Sequence, residues 1–421
     1  MKAVGIHVFA GGFSYGVSKR HEVVCQLEQH NFGLETANDV FGIETVNHKD
    51  AKWPHVEADW SFGNPRCTGF STITSGYAED CHGPWAKQTQ DIHRLMEYAI
   101  NRYDLVIWES VQQAFTVGRP LLDYLRDEVC EPNHYRVAHV MLNAASFGNS
   151  QQRKRYFFVA YRDNRTFNVE PPQLGPEKPL LYHAIWDLRD RPNTRPAHLW
   201  CRDAEYDFDC HAKLTPAEDE DIRHLPGGMC FNALGRWNHS IMSKKHQQTW
   251  NLRVSDMPFS MHGCYRTQWL CPCPTLHSSA GRFIHPHHHR PLTVGEIATI
   301  MGWEGKIPVG PNPIGQIVKG IVPEIGTWLS RQAELYLTGA WGEDDWYTKY
   351  DDNKGEWVGG NAKGMREKEL NLTRYAPKSF DRDNYPSVIP IWRYYNDPDP
   401  GKRCQLDLRP NIKGSSDRAR V

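Results

Sequence analysis

The sequence predicts an α/β protein built on a mostly parallel, doubly wound sheet, and three observations carry that expectation. Short apolar runs alternate with helical patterns from residue 1 to about 161, a Gly-rich turn follows directly on the first run, and polar or charged segments close the later ones. Strands separated by helices pair in parallel and present their chemistry at the carboxyl ends of the strands. Function is therefore sought in the segments just beyond each apolar run.

The runs are, in order, AVGIHVF, VVCQL, WSFG, DLVIWE, YRVAHVML and YFFVAY, with WAKQTQDIHRLMEYAINRY and RPLLDYLRDEV as helices between them. Around 162–200 the prolines of DNRTFNVEPPQLGPEKPLL mark a linker, after which a second domain is expected. Residues 201–224 carry eight acids against three bases, whereas 236–290 carry seven Lys/Arg against Asp256 alone, plus eight histidines. That second stretch, at about +6, is a candidate nucleic-acid face. Thr293 and Glu296 have the spacing of a capping box and predict a helix through Met301. GQIVKGIVPEIGTWLSRQAELYL reads as one further helical stretch, and beyond about 340 the chain turns polar and rich in Trp and Tyr.

Composition narrows the classes. The 421 residues are 39% hydrophobic and 24% charged, which suits a folded chain. No run reaches the ~18 apolar residues of a membrane helix, and the start lacks a signal-peptide pattern. A cytoplasmic protein is expected. With a formal charge of −1 there is no global field for nucleic acid, so such a partner must meet a local patch. The 11 cysteines include no Cys-x-x-Cys pair and read as individual thiols. Cys271, Cys273 and His277, and the run His285 to His289, lack the paired spacing of a structural zinc site, so no metal is expected.

Four segments carry chemistry. Gly63-Asn64-Pro65-Arg66-Cys67-Thr68-Gly69-Phe70-Ser71 sets a cysteine on a small-residue turn after a strand, where a thiolate can serve as nucleophile; taken alone, an inert packed cysteine explains it as well. Glu109 ends LVIWE, so in a doubly wound sheet it shares an edge with Cys67, where a carboxyl whose pKa burial raises can act as an acid; taken alone, a solvated strand-end Glu explains it as well. Gln151-Gln152-Arg153-Lys154-Arg155 opens the last strand with two arginines that point to one side and can stabilise developing negative charge or a phosphate; taken alone, a solvated charge pair explains them as well. Phe9, Ala10, Gly11 and Gly12 form the turn after the first strand, with Glu28 placed after the second to accept from ribose hydroxyls, which points to an adenosine-containing cofactor.

In this order FAGG, Glu28, NPRCTGFS, ESV, QQRKR, RPLTVGEIATIMGW and GQIVKGIV resemble the motifs of the cytosine carbon-5 DNA methyltransferase family, phage-type members included. The resemblance covers about residues 3–161 and 280–330. It implies a Rossmann-like S-adenosylmethionine-dependent sheet over 1–164, a smaller target-recognition domain over 165–288, a return to the catalytic domain over 289–335 and a C-terminal extension over 336–421. It implies Cys67 as nucleophile, Glu109 as acid, Arg153 and Arg155 beside them, and Phe9, Ala10, Gly11, Gly12, Glu28, Pro65, Gln316 and either Asp50 or Asn47 on the cofactor. Arg66, Ser71, Gln151, Lys244 and Lys245 are expected on the substrate, double-stranded DNA, with the protein a monomer. STITSGYAEDCHGPW is expected to close over the flipped base.

The chain departs from the family where Arg66 replaces proline, Thr68 replaces Gln, Ser110 replaces Asn, Gly295 replaces Arg, Gln316 replaces Asn, His7 replaces Asp, and the Gly turn is two residues shorter. Arg66 lowers the pKa of Cys67, pairs with a phosphate of the flipped nucleotide, or receives a donor whose transferable group bears a carboxylate. Rival readings are an RNA methyltransferase, transfer of a group other than methyl, and a catalytically silent DNA binder.

Overall fold

The computed structural model describes residues 1–48, 53–70, 86, 89–162, 167, 179–191, 193–199, 206–253, 263–277, 280–340, 349–351 and 356–358. Seven strands form the main sheet: β1 (Lys2–Ile6), β2 (Glu22–Glu28), β3 (Thr45–Asn47), β4 (Trp60–Gly63), β5 (Leu105–Val111), β6 (Tyr135–Asn143) and β7 (Lys154–Arg162). Their spatial order is β3-β2-β1-β4-β5-β7-β6. The first five pair in parallel, and β7 runs antiparallel to both β5 and β6. From β1 the chain builds outward through β2 and β3, then resumes at β4 on the other side. The switch point of the sheet, where such folds bind ligands, therefore lies between β1 and β4.

Period-two alternation decides which side chains face which layer. Leu105 and Ile107 of β5, with Phe157, Val159 and Tyr161 of β7, enter one core; Val106 and Trp108, with Tyr156, Phe158 and Ala160, enter the other. Helix α1 (Gly12–Ser18) lies on the first face, while α2 (Gln90–Ala99) and α3 (Arg119–Tyr124) cover the second. Both faces being buried explains why the strands read as nearly continuous apolar runs.

After β7 the chain forms α4 (Leu181–Ile185), then α5 (Pro216–Ile222), α6 (Phe231–Asn238) and α7 (Lys244–Arg253). Ile222, Leu225, Met229, Leu234, Met242 and Ile284 enclose a small core of their own. Asp221, fully buried, accepts from the backbone N–H and the hydroxyl of Ser243 and also meets His246. Serine and histidine address the same carboxylate there, an arrangement that starts α7 rather than relaying a proton.

The chain then returns to the first sheet face through α8 (Val294–Ile300), α9 (Pro313–Lys319) and α10 (Pro323–Thr338). The capping box is present: Thr293 Oγ1 accepts from Glu296 N at 3.1 Å, and Glu296 returns the favour to Thr293 N at 2.8 Å. Arg290 adds two bonds to the same carboxylate, at 2.8 and 2.9 Å. The single helical stretch expected over 315–337 is instead two helices. Gly320 leaves α9 in extended backbone, and Pro323, which lacks an N–H, opens α10. Gly295 stands where the family has arginine because a Cβ there would lie 2.2 Å from the ring of Phe208. Among the described residues no helix is long and apolar enough to cross a membrane, and no group of three or more metal-ligating side chains occurs.

Candidate active site

Two turns at the switch point build the site. After β1, His7, Phe9 and Gly11 take left-handed backbone with φ of 56°, 59° and 85°, which folds the chain tightly before α1. Successive N–H groups in such a turn converge on one acceptor. Here it is Glu28, at the end of β2, whose Oε1 accepts from Val8 N at 2.5 Å, Phe9 N at 2.8 Å and Gln26 Nε2 at 3.0 Å. Its other oxygen is buried with no partner among the described residues. Burial pushes the Glu28 carboxyl up to about 8 despite those three donors. Asn47 pairs with Glu28 across β2 and β3, and its buried Oδ1 is also without a partner. The other proposed adenine contact, Asp50, lies outside the described residues.

After β4 comes the second turn. Asn64 and Pro65 are buried, Arg66 is exposed, and half-buried Cys67 opens one short helical turn in which its carbonyl accepts from Phe70 N at 3.0 Å. Strand β5 lies beside β4 with Gly63 opposite Trp108, which brings Glu109 alongside this turn. Across the next pairing, Arg155 Nε meets Glu109 Oε1 at 2.8 Å in a buried ion pair. Burial raises the Glu109 carboxyl against the opposing charges of Arg155 and Arg153. Burial also raises the Cys67 thiol; the Glu109 charge adds to this, while Arg155 and Arg153 oppose it. The two titrations are thus linked. A proton on Glu109 removes its repulsion of a Cys67 thiolate, so neutralising the acid makes ionisation of the thiol easier.

Several of the expected site residues have partners within the chain. Arg153 is fully buried and donates to the carbonyls of Leu276, Val318 and Gly320 at 2.7, 2.5 and 2.7 Å, so it clamps the returning chain to the sheet. Gln151, expected on the substrate, is wholly buried: its oxygen accepts from Leu276 N at 3.0 Å and its amide donates to Met301 Sδ at 3.1 Å. Gln316, expected on the cofactor, accepts from Thr36 Oγ1 at 2.6 Å and donates to the carbonyls of Val309 and Pro311 at 2.8 and 2.9 Å. The side-chain oxygen and nitrogen of both glutamines thus each have a partner within the chain. Lys244 and Lys245 are exposed at the start of α7. Ser71 and the segment 71–85 lie outside the described residues.

Sequence reasoning passed over Lys319. Its carbonyl accepts from Asn64 Nδ2 at 3.2 Å, and its ammonium stands 3.8 Å over the ring of Phe32. The signal was a lysine inside GQIVKGIV, a segment otherwise apolar apart from Gln316.

A sheet with this order, a turn gathered on a buried acid at its switch point, and a cysteine and carboxyl on adjoining strand ends define a Rossmann-like methyltransferase. The family model for C-5 cytosine-specific DNA methylase matches residues 9–307, and the chain belongs to that family of S-adenosylmethionine-dependent enzymes. It is 23% identical to the Type II methyltransferase M.DdeI of Desulfomicrobium norvegicum over 337 residues, covering 72% of this chain and 78% of that protein. It is 27% identical to the Type II methyltransferase M.AquIA of Picosynechococcus sp. over 186 residues, 41% of this chain and 72% of the other. The fold is similar to a prophage-encoded DNA modification methyltransferase from E. coli, with a TM-score of 0.56 and 15% identity over 80% of this chain and 99% of that one. It is also similar to Entamoeba histolytica methyltransferase EhMeth, with a TM-score of 0.52 and 11% identity over 79% and 97%.

Proposed function

We propose that this chain is a DNA (cytosine-5-)-methyltransferase that acts through a covalent Cys67 adduct on a flipped-out cytosine of double-stranded DNA, as a monomer in the cytoplasm. The observation that carries the reading is the buried Glu109–Arg155 pair beside Cys67. Cytosine carbon 5 is too weak a nucleophile to take a methyl group unaided. Cys67 adds to carbon 6 while Glu109 holds a proton at ring nitrogen 3, and Arg155 orients Glu109 through their shared bond. Carbon 5 then acquires enamine character. After transfer its proton leaves to a base and the thiolate is eliminated.

The residues present fit S-adenosylmethionine. The unpartnered Glu28 Oε2 and Asn47 Oδ1 supply buried acceptors for hydroxyl and amino groups, next to the tight turn of Phe9 to Gly12. When bound, the cofactor supplies an electrophilic methyl on a sulfonium. Lys244 and Lys245, exposed at the start of α7, supply phosphate contacts, whereas Arg266 and Arg290 of the same basic stretch are buried on internal partners.

Incubation of the full chain with duplex DNA containing 5-fluorocytosine tests the reading, because fluorine blocks the final proton loss. A covalent adduct on wild type that is missing from Cys67→Ala is expected. Adduct formation by Cys67→Ala, or none by wild type on DNA whose ordinary counterpart it methylates, overturns the Cys67 role.

A further inference from the structure

Residue 319 is fixed from three directions. Asn64, three positions before the nucleophile, holds its carbonyl at 3.2 Å, and Arg153 grips the carbonyls on either side, of Val318 and Gly320, at 2.5 and 2.7 Å. The root of this side chain therefore cannot drift from the Cys67 turn. The ammonium rests 3.8 Å over Phe32, whose ring lies 6.4 Å edge-on from that of Phe9 in the candidate cofactor turn. A cation is thus mounted between the nucleophile and the methyl-donor pocket. Burial lowers the Lys319 ammonium from its ordinary value and the Arg66 charge lowers it further, while a Cys67 thiolate opposes both.

Arg66 is the second cation. Its guanidinium lies 3.1 Å from His30 Nε2 and 3.6 Å from Asp91 Oδ2. That carboxylate is shared: Arg94 reaches Asp91 at 3.6 Å and His30 at 3.8 Å. Among the described residues, Asp91 is the one carboxylate ion-paired to Arg66 and Arg94, while Lys319 enters no ion pair. Two guanidiniums thus share one carboxylate, and the Lys319 ammonium adds a third cation that no carboxylate among the described residues pairs. Like charges repel, and more strongly where protein replaces water. An incoming oxyanion removes this conflict.

Resting on the methyltransferase reading above, we propose that Lys319, with Arg66, forms an oxyanion-binding site beside Cys67. The oxyanion arrives with a substrate, either as a carboxylate on the transferable carbon of the donor or as a phosphate next to the flipped nucleotide. In the first case the electron pair of carbon 5 attacks the methylene carbon, the carbon–sulfur bond breaks with its pair going to sulfur, and the carbon-5 proton leaves to a base. Cys67 departs as thiolate, and the products are 5-carboxymethylcytosine and a neutral thioether.

Titration calorimetry on the full chain separates the sources. Wild type, Lys319→Met and Lys319→Arg are titrated with S-adenosylmethionine, with its analogue whose methyl bears a carboxylate, and with cytosine-containing duplex DNA, after thermal melts have shown that all three fold. A loss of tenfold or more for the carboxylated donor alone, restored by Lys319→Arg, assigns the oxyanion to the donor. A fivefold or greater loss for DNA, with both donors bound as before, assigns it to phosphate. Changes below twofold for carboxylated donor and DNA, or an equal loss for all three ligands, overturn the proposal. If wild type binds neither donor, the methyltransferase reading fails instead.

Discussion

Replacing Arg155 by glutamine strands the Glu109 carboxylate, and the structure sets a ceiling on what that costs. The ion pair, 2.8 Å from Nε to Oε1, is buried on both sides. Breaking a buried pair by removing one partner typically costs about 3–5 kcal/mol. Glu109 has an escape, because it can take up a proton and become neutral. From its ordinary value of 4.5, neutralisation at pH 7 costs about 2.5 pH units at about 1.36 kcal/mol each, or roughly 3.4 kcal/mol. At pH 5.5 the same step costs about 1.4 kcal/mol. Arg155→Gln should therefore destabilise the fold by no more than about 3.4 kcal/mol at pH 7 from this source, and by less than half of that at pH 5.5. Urea unfolding of the full chain at the two pH values measures both. Glu109→Gln in the same background should recover most of the loss at pH 7. A cost equal at both pH values, or no recovery in the double variant, would refute the argument that the stranded carboxylate is its source.

Other perturbations separate site from scaffold. In Glu28 the folded-state pKa, pushed to about 8 from 4.5, means the native state keeps a proton that the unfolded chain releases, so its contribution to stability falls as pH rises through that window and is flat above it. Glu28→Gln should flatten the fall in urea midpoint between pH 5 and 8; an unchanged slope would locate the proton elsewhere. Gly295→Arg, which restores the family residue, should destabilise by about 1–3 kcal/mol because the ring of Phe208 occupies the space; pairing it with Phe208→Ala in chemical denaturation should reduce that cost. Charge reversal at Lys244 and Lys245 should weaken DNA binding on all sequences alike and lower the salt slope by about 2, read by anisotropy at several salt concentrations. A change in site preference at constant affinity would show that these lysines read bases instead.

The sheet was legible because both of its faces are buried, which writes β4, β5 and β7 into the sequence as apolar runs, and because strand ends in a parallel sheet gather at one edge. Edge strand β3 has three residues, all half-buried, and left no such trace. The roles of the polar side chains were less legible because their partners are far along the chain. Gln151 meets Leu276 across 125 positions, Arg153 meets Val318 across 165, and Thr36 meets Gln316 across 280. Motif membership says that such residues sit near the site, but which of them have an atom left for a ligand depends on these long-range bonds.

That distinction also sorts the departures from the family. Gly295 leaves room for Phe208, Gln316 is bound by Thr36 and two carbonyls, and Arg66 has His30 and Asp91 beside it. The first two are matched by residues brought from elsewhere in the chain and need no new ligand, whereas Arg66 shares its one carboxylate with Arg94. Lys319 differs: its backbone is anchored by Asn64 and Arg153, while its ammonium meets an aromatic face and no carboxylate among the described residues. An anchored mount ending in an unneutralised charge is what a ligand site requires. On the proposed reading Cys67, Glu109 and Arg155 attack and protonate the pyrimidine ring, which places any novelty in what is delivered to carbon 5, or in how the nucleotide is held, and not in how the ring is activated.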